Sequence, residues 1–287
     1  MSRFRTMLAM LLCVLPLAAM AQDPKPYPDD VAQWVTAQVP STAAVADRRV
    51  WLLAANGSPL DWEVTREGGS ILAKPYEASL REAETAVQLP FVPKAEAFHG
   101  AQQARKVSDG WLVVFNRGEF GGALYWFSPD GERNYRISPH QVVDFFLVGK
   151  RLHAVEGLAH LGLSRGSVIA LDRVKGQWQA STVAELPAAP YAVAPQGGAV
   201  HLVLSSSVVT LRDGRIETVL PETPWDMLYP TSAAFGADGR LYVGLRQYVA
   251  RADLAAGKLE FLVPDLRAVH RLPVDQEQQV RLRAEGR

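Results

Sequence analysis

Residues 232–247, SAAFGADGRLYVGLRQ, decide the fold once two other stretches are set beside them. VVDFFLVGKRLHAVEG begins at Val142 and YAVAPQGGAVHLVLSS at Tyr191. Each holds an apolar run, a glycine-containing turn, and a second run that opens on Leu or Val with an aromatic residue or His next. A third run follows each (SVIALDR, SVVTLRDG, YVARADL), then a turn and a fourth (GQWQASTVAEL, GRIETVL, GKLEFLV). GWLVVFNRGEFGGALYWFSPDGERNYRIS, from Gly110, supplies the later parts of the same unit. Short apolar runs punctuated by Gly, Asp and Pro read as strands. The second strands begin near Trp111, Leu152, Val200 and Leu241, in steps of 41, 48 and 41 residues.

A repeat of ~40–50 residues with four strands per unit is the signature of a β-propeller. One four-stranded sheet cannot bury both of its faces, whereas sheets arranged round an axis bury each other's. The expected fold is therefore all-β, a single propeller of about five four-stranded blades at ~45 residues each. Six or seven blades would require irregular units within 41–110. The expected boundaries are a signal peptide at 1–21, a linker and short helix at 22–40, and the propeller at 41–287. The helix spans 31–39, capped by Asp29 or Asp30 and ended by Pro40. An earlier unit starts near Val50 (VWLLAANG, then LDWEVTREGG), and 76–88 reads as either helix or strand. Two strands at 269–274 and 279–283 are candidates to complete the N-terminal blade and remove an open edge.

The 287 residues carry 30 Lys+Arg against 30 Asp+Glu, with 48% apolar residues and one Cys. Zero net charge gives no electrostatic basis for a nucleic-acid partner. Arg3 and Arg5, the apolar run from Met7 to Ala19, and Ala19-Met20-Ala21 before Gln22 read as a secretory signal with its cleavage site. Leu12 before Cys13 departs from a lipoprotein signal, which takes a small residue there. Cleavage leaves 28 basic against 30 acidic residues and no cysteine, so neither disulfides nor a thiol nucleophile are expected. The expected location is the periplasm or outside the cell, with no integral membrane span after cleavage.

Residues 232–263 resemble a blade of the NHL and gluconolactonase-like propeller group. The likeness lies in Ala237-Asp238-Gly239-Arg240-Leu241-Tyr242-Val243-Gly244 and in Tyr248-Val249-Ala250-Arg251-Ala252-Asp253. It concerns architecture only. A lactonase-like member of that group would imply a divalent metal such as calcium, held by Glu, Asn and Asp at the inner ends of several blades. Glu156, Asn116 and Asp226 are the matching residue types.

In an up-and-down blade the second–third loops and the blade-to-blade connections share one end. The opposite end carries short generic turns. The first end carries residues 116–122, 156–166, 138–140 and 222–230, which are longer and chemically richer, and such loops on a rigid scaffold tend to carry binding residues. The candidate binding residues are Asn116, Arg117, Glu119, Phe120, His140, Glu156, His160, Arg165, Trp225, Asp226, Tyr229 and Arg246. The competing reading is structural: the same loops tuck Phe120, Leu158, Leu161 and Leu163 over the end of the core.

Several chemistries can be weighed there. His153, Glu156 and His160 resemble a spaced metal-ligand set, but residues three apart on a strand face opposite sides. Residues 162–166 spell G-x-S-x-G, which forms a nucleophile elbow only between a strand and a helix, and strand-like residues follow. Glu119 with Glu156 could pair for glycoside hydrolysis. Trp225 and Tyr229 could stack on a sugar. The reading these features favour is an exported, non-enzymatic binding or scaffold protein that holds a protein or carbohydrate partner in the cell envelope, without a cofactor. The alternative is a metal-dependent lactonase-type hydrolase.

Overall fold

The computed structural model describes residues 27–41, 43–76, 89–93, 98, 101–225 and 227–264. The signal peptide expected at 1–21, the 77–88 segment, Asp226 and the closing strands expected at 269–283 lie outside the described residues.

The repeated units form sheets, each an antiparallel meander. Strands β4 (Ala101–Val107), β5 (Gly110–Asn116), β6 (Gly122–Phe127) and β7 (Asn134–Ser138) make one blade. β8 (Val142–Val148), β9 (Arg151–His160), β10 (Leu163–Val174) and β11 (Gln177–Leu186) make the next. A third comprises β12 (Pro190–Gln196), β13 (Ala199–Leu204), β14 (Val208–Arg212) and β15 (Arg215–Leu220). The last comprises β16 (Ser232–Phe235), β17 (Leu241–Gly244), β18 (Val249–Asp253) and β19 (Lys258–Val263). The second strands thus begin within one residue of the positions read from the repeat. A hairpin of β2 (Asp61–Glu67) and β3 (Ser70–Tyr76) supplies a fifth, two-stranded sheet. The chain is a β-propeller of about five blades.

Buried side chains form layers between consecutive sheets, as the blade argument requires. Leu112 and Leu124 of the first four-stranded blade meet Ala154 and Ile169 of the second. Val155 and Val168 of the second meet Leu202 and Val209 of the third. Ala194 and Val203 of the third meet Phe235 and Val243 of the last. Trp62 and Val64 of the hairpin meet Tyr242 and Val249 on the other face of that last blade. The outer face of the first four-stranded blade is covered by Leu89, Phe91 and Phe98. Alternation on a strand puts side chains on both faces, so central strands flanked by two neighbours are buried on both.

The N-terminal region departs from the sequence reading. The helix expected over 31–39 is a single 3-10 turn, Val31–Gln33, capped by the Asp30 carboxylate accepting from the Ala32 N–H. The chain then extends as β1 (Val35–Thr36), which pairs with the outer strand β19. Tertiary pairing wins over local propensity here, because β19 offers an open edge. Conversely, residues read as a strand near Val50 form helix α1 (Val45–Asn56). Its Trp51 and Ala55 are buried against the last blade, with the Trp51 ring N–H donating to Tyr248 Oη at 2.9 Å.

Several titrating groups make the fold sensitive to acid. Burial holds the imidazoles of His153 and His201 below their ordinary range. The Arg151 guanidinium holds the Asp172 carboxyl low, and Arg251 followed by Lys258 do the same for Glu260. In each case the unfolded chain takes up a proton at a higher pH than the folded one. The stabilisation is complete above the unfolded value and is lost as pH falls towards the folded one. The melting temperature is therefore expected to fall in two stages, the first below about pH 6.5 from the histidines and the second below about pH 4.5 from the carboxylates. His153→Gln with His201→Gln should flatten the first stage in scanning calorimetry and leave the second. A wild-type melting temperature constant between pH 7 and 5 would contradict this.

Candidate functional site

The inner strands of all five sheets line one central cavity of about 730 Å³. Its walls include Asp61, Glu63, Tyr76, Gln103, Arg105, Asp144, Tyr191, Tyr229, Thr231, Ser232 and Arg246. These positions lie in the halves of the inner strands that follow the blade connections, plus one second–third loop. The cavity therefore belongs to the loop-rich end of the ring.

The nominated residues fall into two groups. In the first, Gln141 is the hub. Its side-chain amide donates to Asn116 Oδ1 at 3.3 Å and to the Gly118 carbonyl at 2.5 Å, while its Oε1 accepts from Arg165 at 2.9 Å. Arg165 also lies 3.6 Å from the Glu156 carboxylate, whose other oxygen accepts from Ser167 Oγ at 2.8 Å. His160 Nε2 meets Glu119 Oε2 at 2.5 Å. Arg117 and Phe120 flank this group and are exposed. His140 stands in the adjoining blade connection, with its enclosed Nδ1 lacking a hydrogen-bond partner among the described residues.

The second group surrounds Arg246. Its guanidinium donates to Asp61 Oδ1 at 3.1 Å and to the carbonyl and side-chain oxygens of Asn56 at 3.0 and 2.9 Å, and it lies 4.8 Å from the Tyr229 ring centre. This fixes Tyr229 as a shelf at the cavity edge. The two groups are joined along the same end by Ser164 Oγ against Ser205 Oγ at 2.9 Å and by the Thr223 N–H on the Ser206 carbonyl at 2.8 Å.

Three expectations need correction. Trp225 is 0% exposed and its ring N–H donates to the Leu204 carbonyl, so it is a core residue with no face for a ligand. The 156–166 loop is not a loop. β9 and β10 pair continuously up to His160 and Leu163, leaving Leu161-Gly162 as a two-residue turn. The G-x-S-x-G serine is thus on a strand, where its hydroxyl also accepts from the Ala189 N–H. Phe120, Leu161 and Leu163 do not cap the core, since they are 75%, 93% and 49% exposed.

Of the metal set implied by the resemblance, Asp226 lies outside the described residues, and the other two are engaged by neighbouring groups. Asn116 accepts from Gly118 and Gln141, and Glu156 is taken up by Ser167 and Arg165. Among the described residues, no group of three or more His, Cys, Asp or Glu lies close enough to hold an ion. Glu119 meets His160, whereas Glu156 is held by Arg165 and Ser167. Sequence reasoning missed Gln141 and the inner-strand residues Asp61, Glu63, Gln103, Arg105, Asp144 and Tyr191. The signal was a polar residue or Tyr interrupting an apolar inner strand near its start, as in Val142-Val143-Asp144 and Pro190-Tyr191.

The sequence matches no family model, and no curated protein matches it. Solved structures match it at low identity and low TM-score. A streptogramin B lyase structure is 18% identical, covering 61% of this chain and 62% of its own, with a TM-score of 0.35. A gluconolactonase from Xanthomonas campestris is 15% identical over 61% of each chain, with a TM-score of 0.38. The extracellular domain of a hybrid two-component system from B. thetaiotaomicron is 15% identical over 55% of this chain and 20% of that one, with a TM-score of 0.38. The chain thus spans less than two thirds of the length of each. At these identities and scores none of them says what this chain binds or does.

Arg246 bridges α1, the β2–β3 hairpin and the cavity shelf. Arg246→Ala is expected to cost about 1–3 kcal/mol through the unpaired Asp61 carboxylate and lost donors. That corresponds to a drop of roughly 5 °C in melting temperature. Arg246→Lys should recover only part of it, because an ammonium cannot make the same forked contacts. Calorimetry showing no change in Arg246→Ala would contradict the bridging role.

Proposed function

We propose that the chain is an exported, non-enzymatic binding protein that takes a carbohydrate into the mouth of its central cavity. The carrying observation is the cavity lining. Tyr76, Tyr191 and Tyr229 stand among Asp61, Glu63, Gln103, Arg105, Asp144 and Arg246, drawn from five sheets. A volume of about 730 Å³ lies in the range of small-molecule sites. Sugars present C–H faces that pack on aromatic rings and hydroxyls that need both donors and acceptors. Carboxylates, an amide, guanidinium groups and phenols supply both.

Export is supported by the basic n-region, apolar run and small-residue cleavage pattern at 1–21. Among the described residues no helix is long and apolar enough to cross a membrane.

Calorimetric titration of the purified chain with a panel of soluble oligosaccharides tests the reading. At least one should bind, and Tyr191→Ala and Asp144→Ala should each weaken it about tenfold or more. Binding unaffected by both substitutions would refute the site. Metal-dependent opening of a sugar lactone, abolished by Asp144→Ala, would replace the binding reading with the hydrolase one.

A further inference from the structure

The walls of the central cavity carry unequal charge. Asp61, Glu63 and Asp144 supply three carboxylates, against the two guanidinium groups of Arg105 and Arg246. Arg246 is committed to the frame, since it donates to Asp61 and Asn56 and lies against the Tyr229 ring. The described lining is thus one charge more negative than positive, with Glu63 and Asp144 set against Arg105. The carboxylates are spread round the ring. Asp61 and Glu63 stand on β2 and Asp144 on β8, with the last and third blades between them. Among the described residues they gather into no metal-binding group. A concave site with low-dielectric walls concentrates the field of such a lining.

The aromatic lining adds to the same preference. Tyr76, Tyr191 and Tyr229 all reach the cavity, and the face of a tyrosine ring attracts a cation. The Arg246 guanidinium, 4.8 Å from the Tyr229 ring centre, is one such contact already made inside the chain. Tyr76 pairs in register with Asp61, and Tyr191 is the extra residue of a bulge where β12 meets β13. β8 carries a matching bulge at Val143, beside Asp144. Bulges re-aim side chains and recur next to ligand sites. Tyr229 holds φ +47° directly before Pro230, which favours extended backbone there, and it is still 44% exposed. Backbone strain without burial in return is concentrated at functional positions.

We propose that the saccharide taken by this cavity carries a free ammonium group, received by Asp144 and Tyr191 from adjacent blades. This rests on the carbohydrate reading and narrows it to amino sugars whose nitrogen is not acylated. A uronic acid or a sugar phosphate would add negative charge to a lining that already has an excess. A neutral sugar would leave that excess in place. An ammonium group neutralises it, donates hydrogen bonds to carboxylate and phenol oxygens, and sits favourably on aromatic faces. Asp144 is better placed than Glu63 for this, because Glu63 shares its strand with Asp61, whose charge Arg246 already answers.

The test is calorimetric titration of the purified protein with oligosaccharides of glucosamine and of galactosamine, each free and fully N-acetylated, with an oligogalacturonate as the acidic member. A free amino sugar should bind about tenfold or more tightly than its acetylated counterpart, with an affinity that falls as salt rises. Asp144→Asn removes the charge but keeps the oxygen that accepts from the Phe145 N–H. It should weaken the free amino sugar about tenfold and leave the acetylated one within about twofold, so that the discrimination collapses. Asp213→Asn, in the β14–β15 turn at the opposite end of the ring, should change neither. Equal or tighter binding of an acetylated or acidic saccharide overturns this proposal and leaves the carbohydrate reading standing. An amine preference that survives Asp144→Asn overturns the role of Asp144. A lysine-rich peptide that binds where no saccharide does overturns both readings.

Discussion

The N-terminal hairpin is held on the last blade by the seating of Trp62 between that blade and the start of the described chain. Trp62 is fully buried, with the edges of Tyr27 and Trp34 packed at 5.0 and 4.8 Å. Its ring N–H donates to the Gln247 carbonyl at 3.1 Å, its backbone N–H donates to Leu245, and its own carbonyl accepts from Thr231 Oγ1. Loop-closure entropy grows only logarithmically with length, so joining partners some 185 residues apart adds little over a shorter loop. A buried indole contributes roughly 3 kcal/mol and satisfies its polar atom at once.

That contact positions the site as well as the fold. Seating Trp62 places Asp61 against Arg246 and Glu63 on the cavity wall. Arg246 in turn supports Tyr229. Two charges and a phenol from opposite ends of the described chain thereby become neighbours. The same closure leaves β19 to take β1 on its outer edge, so the last blade gains an extra strand and loses an open edge.

The repeat was legible because strand pairing and turn chemistry are local. Glycine turns and alternating apolar runs recur wherever a blade recurs, and they marked β5, β9, β13 and β17 to within one residue. The N-terminal region was not, because its structure is set by what it covers. Residues 35–36 become a strand only because β19 is there to pair, and α1 buries Trp51 on a surface no local pattern announces. The site was half legible. Loop richness pointed to Tyr229 and Arg246, both on the cavity wall, but also to Trp225, whose indole fills the core. The inner-strand residues stayed hidden because one Asp or Tyr in an apolar strand looks the same whether it faces a channel or a neighbouring blade. The length of the β9–β10 hairpin was masked by its glycines, which read as loop but serve close packing on Pro190.

Asp61 and Arg246 are antiparallel bridge partners, flanked by the Trp62 N–H on the Leu245 carbonyl and the Gln247 N–H on the Leu60 carbonyl. Such a non-hydrogen-bonded pair has Cα atoms about 4.5 Å apart, within the reach of a disulfide. The most direct measurement is therefore cross-linking of Asp61→Cys with Arg246→Cys in a Cys13→Ser background. The account predicts spontaneous formation of one intramolecular disulfide under mild oxidation, with the oxidised form melting above the reduced form. Two free thiols in a folded, oxidised sample would contradict it.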